Sequence, residues 1–180
     1  MLEVFCKKLI SISNQVFMES KSWKESYTEL ERLVLPPDTN IFNALYGGRL
    51  VEWIDNVAGI VATRHSRRRN VTGSIDSLFF LVPIHLGDIV TITGRLNYVT
   101  RSTMEIEVNV TTEEGLTGTT RVATKSFLTY VAVDQDGKPT DIPGLKIETE
   151  EEKRIFEEAA LRSKNRLAQL TKIKSDLKKS

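Results

Sequence analysis

Between Asn43 and His65 the chain reads NALYGGRLVEWIDNVAGIVATRH, a stretch that holds the groups best suited to act on a carbonyl compound. Gly47-Gly48 stands at the start of a helical pattern. Backbone amides there lack an intrahelical acceptor and, with the helix dipole, polarise a carbonyl oxygen. Asp55 follows on the same helix. In a cleft its carboxylate can act as a general base on water or as a nucleophile toward carbonyl carbon. On an open surface it would only be solvated beside Glu52 and Asn56, as most boundary carboxylates are. The glycine pair likewise has a plain reading as a tight turn.

Other chemistries lack their residues. His65 and His85 are the only histidines and no cysteine pair accompanies them, so zinc has no obvious ligand set and no metal site is expected. His85, in VPIHLGD, reads as an ordinary surface histidine. No G-x-S-x-G elbow, phosphate-binding G-x-x-x-x-G-K-[ST] loop or dinucleotide G-x-G-x-x-G fingerprint is present.

The whole chain has 180 residues, 40% of them hydrophobic, with 25 Lys plus Arg against 24 Asp plus Glu. One globular domain with an appended helix fits that length. A net charge of +1 argues against a generally basic nucleic-acid binder, so any polyanion would be met by a local patch. Arg64, Arg67, Arg68 and Arg69 form the strongest such patch. It lacks the interleaved aromatics of a nucleic-acid surface, and a solvated basic loop is its plain reading. Cys6 is alone, so no intrachain disulfide forms, and a cytoplasmic location is expected.

Residues 1–22 read as an N-terminal extension. Its apolar residues are interrupted by Lys7 and Lys8 and no small-residue cleavage site follows, so a signal peptide is not expected; Met18 is an alternative start. No run approaches the roughly 20 apolar residues needed to span a bilayer.

A first strand is expected over Ser26 to Leu35, closed by Pro36-Pro37. Asp38 to Tyr46 reads as a loop. Arg49 to His65 reads as a helix burying Leu50, Trp53, Ile54, Val57, Ile60 and Val61 on one broad face. Alternation then predicts strands over Val71 to Val82, Val90 to Tyr98, Met104 to Val110 and Thr119 to Val133, with turns at Gly87-Asp88 and Glu113-Glu114-Gly115. Thr149 with Glu152 begins a C-terminal helix whose sparse apolar residues suit packing on a surface or partner. Strand, helix and four strands give an α+β domain in which one long helix covers an antiparallel sheet.

Five segments together carry a resemblance: LPPDTN (Leu35 to Asn40); Tyr46-Gly47-Gly48; IDNVAG (Ile54 to Gly59) with Ala62-Thr63-Arg64-His65; RSTMEIEV (Arg101 to Val108); and SFLTYVAVD (Ser126 to Asp134). In this order, over about residues 26 to 170, they resemble the cytosolic acyl-CoA thioester hydrolases of the hotdog-fold thioesterases. The resemblance implies a hotdog domain at 23–145, with about five antiparallel strands wrapped around the central helix, and a C-terminal helix at 146–180. It implies hydrolysis of fatty acyl-CoA to free acid and CoA, with no cofactor beyond the CoA of the substrate. It also implies sites between two subunits of a hotdog dimer, and hexamers assembled as trimers of dimers.

Under that resemblance Asp55 matches the catalytic aspartate and the Gly48 amide would hold the thioester oxygen. Ala44 stands where members with a catalytic loop asparagine carry it. Asn43, one position earlier, is therefore the candidate, with an asparagine turn as its other reading. Gly47, Arg64, Arg101, Ser102 and Thr103 would contact the CoA moiety, arginine suiting phosphate through its fork of donors. Trp53, Phe79 and Phe80 are candidates for closing the acyl cleft. Two competing readings are a non-catalytic acyl-CoA sensor on the same fold and an enoyl-thioester hydratase. The hydratase is disfavoured because no histidine lies between Asn40 and Asp55.

Overall fold

The computed structural model describes residues 18–178; the expectations for residues 1–17, including the question of a leader, lie outside the described residues. A 3-10 turn at Trp23–Glu25 leads into β1 (Thr28–Leu33). Helix α1 (Gly47–Ser66) follows, then β2 (Arg69–Ile75), β3 (Ile89–Val99), β4 (Thr103–Glu113), β5 (Thr120–Val133) and α2 (Glu150–Leu177). The strands form one antiparallel sheet in the order β1-β3-β4-β5-β2, so the strands flanking α1 in sequence lie at opposite edges.

Alternation decides the faces. Val90, Ile92 and Leu96 of β3, and Met104, Ile106, Val108 and Val110 of β4, point inward against Leu50, Trp53, Ile54, Val57, Ala58 and Val61 of α1. Each fully buried aliphatic side chain contributes about 1.5–3 kcal/mol, and this layer is the core. Gly94 sets how closely helix and sheet approach. A Cβ there would lie 2.8 Å from Val57 Cγ1 and 2.9 Å from Val61 Cγ2.

Helix α2 crosses the outer face. Thr149 Oγ1 accepts from the Glu152 amide, and the Glu152 carboxylate accepts from Glu148 N–H at 2.7 Å and Trp23 Nε1 at 2.8 Å. Those donors hold the Glu152 carboxyl below its ordinary pKa. Further along, Arg162 and Arg166 close on Glu105, whose β4 position faces away from the core and whose side chain is buried. Phe156 meets Tyr98 with ring centroids 4.8 Å apart.

Three expectations need correction. The second strand ends at Ile75, not Val82. Past it, Asp76 and Leu81 donate single backbone bonds to Phe127 and Ala123, while Leu78 and Val82 pack on the core, so the apolar run cloaks the core instead of continuing as a strand. Ile60 is 40% exposed, because α1 turns that edge toward an open cleft. The helix begins at Gly47, two residues before the expected start, so both glycines are helical.

Candidate active site

Asp55 lies on the flank of α1 between its buried and solvent faces. The β2–β5 register sets Thr72 directly opposite Tyr130. Their hydroxyls both reach the Asp55 carboxylate. Thr72 Oγ1 donates to Asp55 Oδ1 at 3.0 Å, and the Tyr130 hydroxyl lies 2.7 Å from Oδ1 and 2.8 Å from the Asp55 carbonyl oxygen. Burial first, and then the neighbouring carboxylate, hold the Tyr130 phenol well above its ordinary pKa, so it remains a donor. No donor among the described residues reaches Oδ2.

These residues line a cleft of about 450 Å³ together with Asn56, Gly59, Ile60, Thr63, Arg64 and Asn70. A half-buried carboxylate with a free oxygen at the wall of an open cleft can take a proton from water or attack a carbonyl. Among the described residues no three His, Cys, Asp or Glu side chains converge as a metal-ligand group.

Of the other sequence candidates only Arg64 lines this cleft. Tyr46 offers no side-chain cap to α1, and the Gly47 and Gly48 amides meet no acceptor among the described residues. A Cβ at Gly48 would come within 2.6 Å of the Tyr46 ring. At a rise of about 1.5 Å per residue, Gly48 sits about 10 Å from Asp55 along the helix axis. Neither glycine lines the Asp55 cleft. Asn43 is exposed and left-handed, with φ 55° and its carbonyl accepting from Leu86 N–H, which is the geometry of a turn residue.

Asn40, to which the sequence reading gave no role, is more informative. Its Oδ1 accepts from the amides of Phe42 (2.8 Å) and Ala44 (3.3 Å), leaving its Nδ2 donors without a partner among the described residues. The loop that carries it is tied to α1 by Tyr46 N–H donating to Asp38 O and by Arg49 pairing with Asp38.

The basic candidates gather at one end of the sheet. Arg64 lines the cleft and donates to Tyr27 O and Thr28 Oγ1, both at 2.9 Å. Arg67, Arg68 and Arg69 follow at the exposed end of α1. Arg101, in the β3–β4 turn, pairs with Asp141 at 2.8 Å in solvent, Ser102 is buried, and Thr103 shares a hydroxyl bond with Thr100. Trp53 is in the core under Arg32, whereas Phe79 and Phe80 are exposed, Phe80 lying against Gly47.

A thioesterase superfamily model matches residues 42–119. The chain is 43% identical over 148 residues to an uncharacterised acyl-CoA thioester hydrolase, YkhA, of Bacillus subtilis, covering 82% of this chain and 86% of that protein. Among solved structures, an apo-hexameric acyl-CoA thioesterase superposes with a TM-score of 0.80 at 40% identity, over 85% of this chain and 98% of the other. An acyl-CoA hydrolase from Staphylococcus aureus, solved with butyryl-CoA, CoA and CoA disulfide, also gives 0.80, at 35% identity over 88% and 97%. The Staphylococcus enzyme has been solved as single alanine variants of an asparagine, of an aspartate fifteen positions later and of a threonine seventeen positions after that. The chain belongs to the thioesterase superfamily, as a hotdog-fold acyl-CoA thioester hydrolase.

Proposed function

We propose that this hydrolase cleaves fatty acyl-CoA to free fatty acid and CoA, with the Asp55 carboxylate activating water or attacking the thioester. The observation that carries the reading is Asp55 itself, fixed by two hydroxyl donors at the wall of an open cleft. The spacing of the Staphylococcus variants supports it. Asn40, Asp55 and Thr72 stand fifteen and seventeen positions apart in the same order of residue types. Asn40 thereby replaces Asn43 as the loop asparagine, and its free amide donors suit a thioester oxygen.

The site is composite. Since the Gly48 amide and Asp55 are about 10 Å apart along one helix, they do not converge on one carbonyl within a chain. In a homodimer, the amides of Gly47 and Gly48 and the Asn40 side chain of one protomer face Asp55 and Thr72 of the other. Arg64, Arg101, Ser102 and Thr103, with the Arg67–Arg69 run, meet the phosphates and pantetheine arm at the basic end. Three such dimers make a hexamer, as the hexameric relative supports. The reaction needs water and no added cofactor, and we place it in the cytoplasm, where a lone cysteine stays reduced.

Release of free CoA thiol from acetyl- to palmitoyl-CoA, with wild type beside Asp55→Ala, tests this. Turnover that falls at least about 100-fold in the variant, at unchanged thermal stability, is the expected result. Binding without turnover at every chain length would establish a sensor instead. Undiminished turnover in Asp55→Ala would keep the enzyme and discard the mechanism.

A further inference from the structure

We propose that Tyr130 is a positioning residue for the hydrolysis, its hydroxyl holding Asp55 Oδ1 so that Oδ2 is the oxygen that acts on water. Three observations converge on this. The one Tyr130 hydroxyl proton is shared between Oδ1 and the main-chain oxygen of the same aspartate, at 2.7 and 2.8 Å, so the phenol draws the side chain toward its own backbone. Thr72 adds a second donor to Oδ1, at 3.0 Å, and no described donor reaches Oδ2. One carboxylate oxygen is thus occupied and the other has no donor among the described residues, on a side chain that lines the cleft.

Gly59 completes the arrangement. It lies one turn beyond Asp55 in the middle of α1, where glycine costs about 1 kcal/mol relative to alanine. A Cβ at this position would sit 3.3 Å from the Tyr130 hydroxyl, tighter than an ordinary contact. The helix therefore leaves room for the phenol to reach over it. The Tyr130 side chain is 4% exposed and enters from β5, so its position is set by the sheet and not by solvent. A carboxylate free to rotate would present either oxygen at varying angles, and a fixed one shortens the search for the reactive geometry.

The step balances without a further reagent. Oδ2 takes one proton from water as the water oxygen bonds to the thioester carbon. The tetrahedral species then breaks its C–S bond, and the departing sulfur takes the proton back from Oδ2, giving the acid and CoA thiol.

This role rests on Asp55 acting as proposed above, so wild type, Asp55→Ala, Tyr130→Phe, Gly59→Ala and the Asp55→Ala/Tyr130→Phe pair are assayed together by CoA-thiol release. Tyr130→Phe keeps the ring and removes the hydroxyl. Its kcat is expected to fall about 10-fold with KM unchanged within about 2-fold, and the double variant to lose nothing beyond Asp55→Ala. Gly59→Ala, which keeps the hydroxyl and displaces it, is expected to show the same split between kcat and KM. Loss in Asp55→Ala with wild-type kcat in Tyr130→Phe overturns the Tyr130 role alone. A further loss in the double variant, or a rise in KM without a fall in kcat, also overturns it. Full activity in Asp55→Ala overturns the Asp55 mechanism and the Tyr130 role with it.

Discussion

Asparagine at positions 40 and 43 serves two different purposes within one short loop. Asn43 holds a left-handed conformation that most side chains avoid, and its side chain makes no bond among those that fix the loop. Replacing it with glycine is expected to leave both activity and stability at wild-type level, whereas alanine costs about 1 kcal/mol in thermal unfolding through backbone strain alone. Asn40 divides its amide group: the oxygen ties the loop, and the nitrogen meets no acceptor among the described residues. Asn40→Asp keeps the acceptor for the Phe42 and Ala44 amides and removes the donors. Turnover of acyl-CoA in that variant is expected to drop about 100-fold, as when one donor to a developing oxyanion is lost, with an unchanged unfolding midpoint. Wild-type turnover in Asn40→Asp would remove the loop from the mechanism. The sequence reading took Asn43 as the candidate and gave Asn40 no role, since residue type alone does not tell which of two loop asparagines keeps an unpaired amide. Asp55 stands out in sequence as a carboxylate on an apolar helix, but that pattern suits a solvated side chain equally well, and it was the family resemblance that assigned it a catalytic role. Thr72 and Tyr130 were not legible, since what makes them neighbours is cross-strand register, and register leaves no local mark on either strand.

At the scale of elements, periodicity recovered the order of strands and helices because each core strand has one buried and one polar face. It failed between Asp76 and Val82, where apolar residues cover the core without pairing as a strand, and a hydrophobic run looks the same in either arrangement. The end of α1 shows how elements are tied together by a group that sequence reading left aside. His65 is buried, its Nε2 donates to Pro143 O at 2.9 Å, and Lys21 Nζ donates to the His65 carbonyl at 2.8 Å. Burial pushes the His65 pKa below its ordinary 6.5, helped by Lys21 and opposed by the Pro143 bond and Glu25. The folded chain therefore keeps this ring neutral while the unfolded chain binds a proton. Stability is fully present above about pH 6.5 and is lost as pH falls from there toward the lower folded value. His65→Gln retains a donor for Pro143 and does not titrate. Urea midpoints between about pH 7 and 5.5 are expected to decline in wild type and to stay flatter in His65→Gln. Parallel declines would show that another group governs the acid limb.

The whole molecule presents a problem of geometry that a single chain does not solve. Asp55 and its two hydroxyl donors face one cleft near the middle of α1, while the open Gly48 amide sits at the start of that helix, about 10 Å away along its axis, with the Asn40 loop tied beside it. If one thioester needs both sets, each site takes one set from either protomer; β2, which carries Thr72, is an edge strand of the sheet. Complementation reads this directly. A protomer carrying Asn40→Asp and one carrying Asp55→Ala are each inactive as pure oligomers. In a mixed dimer, one site receives both defects and the other receives none. Random pairing in equal amounts makes about half of the dimers mixed, so about one quarter of wild-type turnover per site is expected to return. The recovered activity should keep the wild-type KM, because the rebuilt sites contain no altered residue. If Asn40 and Asp55 of one chain served the same site, every site in the mixture would carry a defect and nothing would return. Recovery near one quarter thus separates a shared site from a self-contained one without a structure of the assembly.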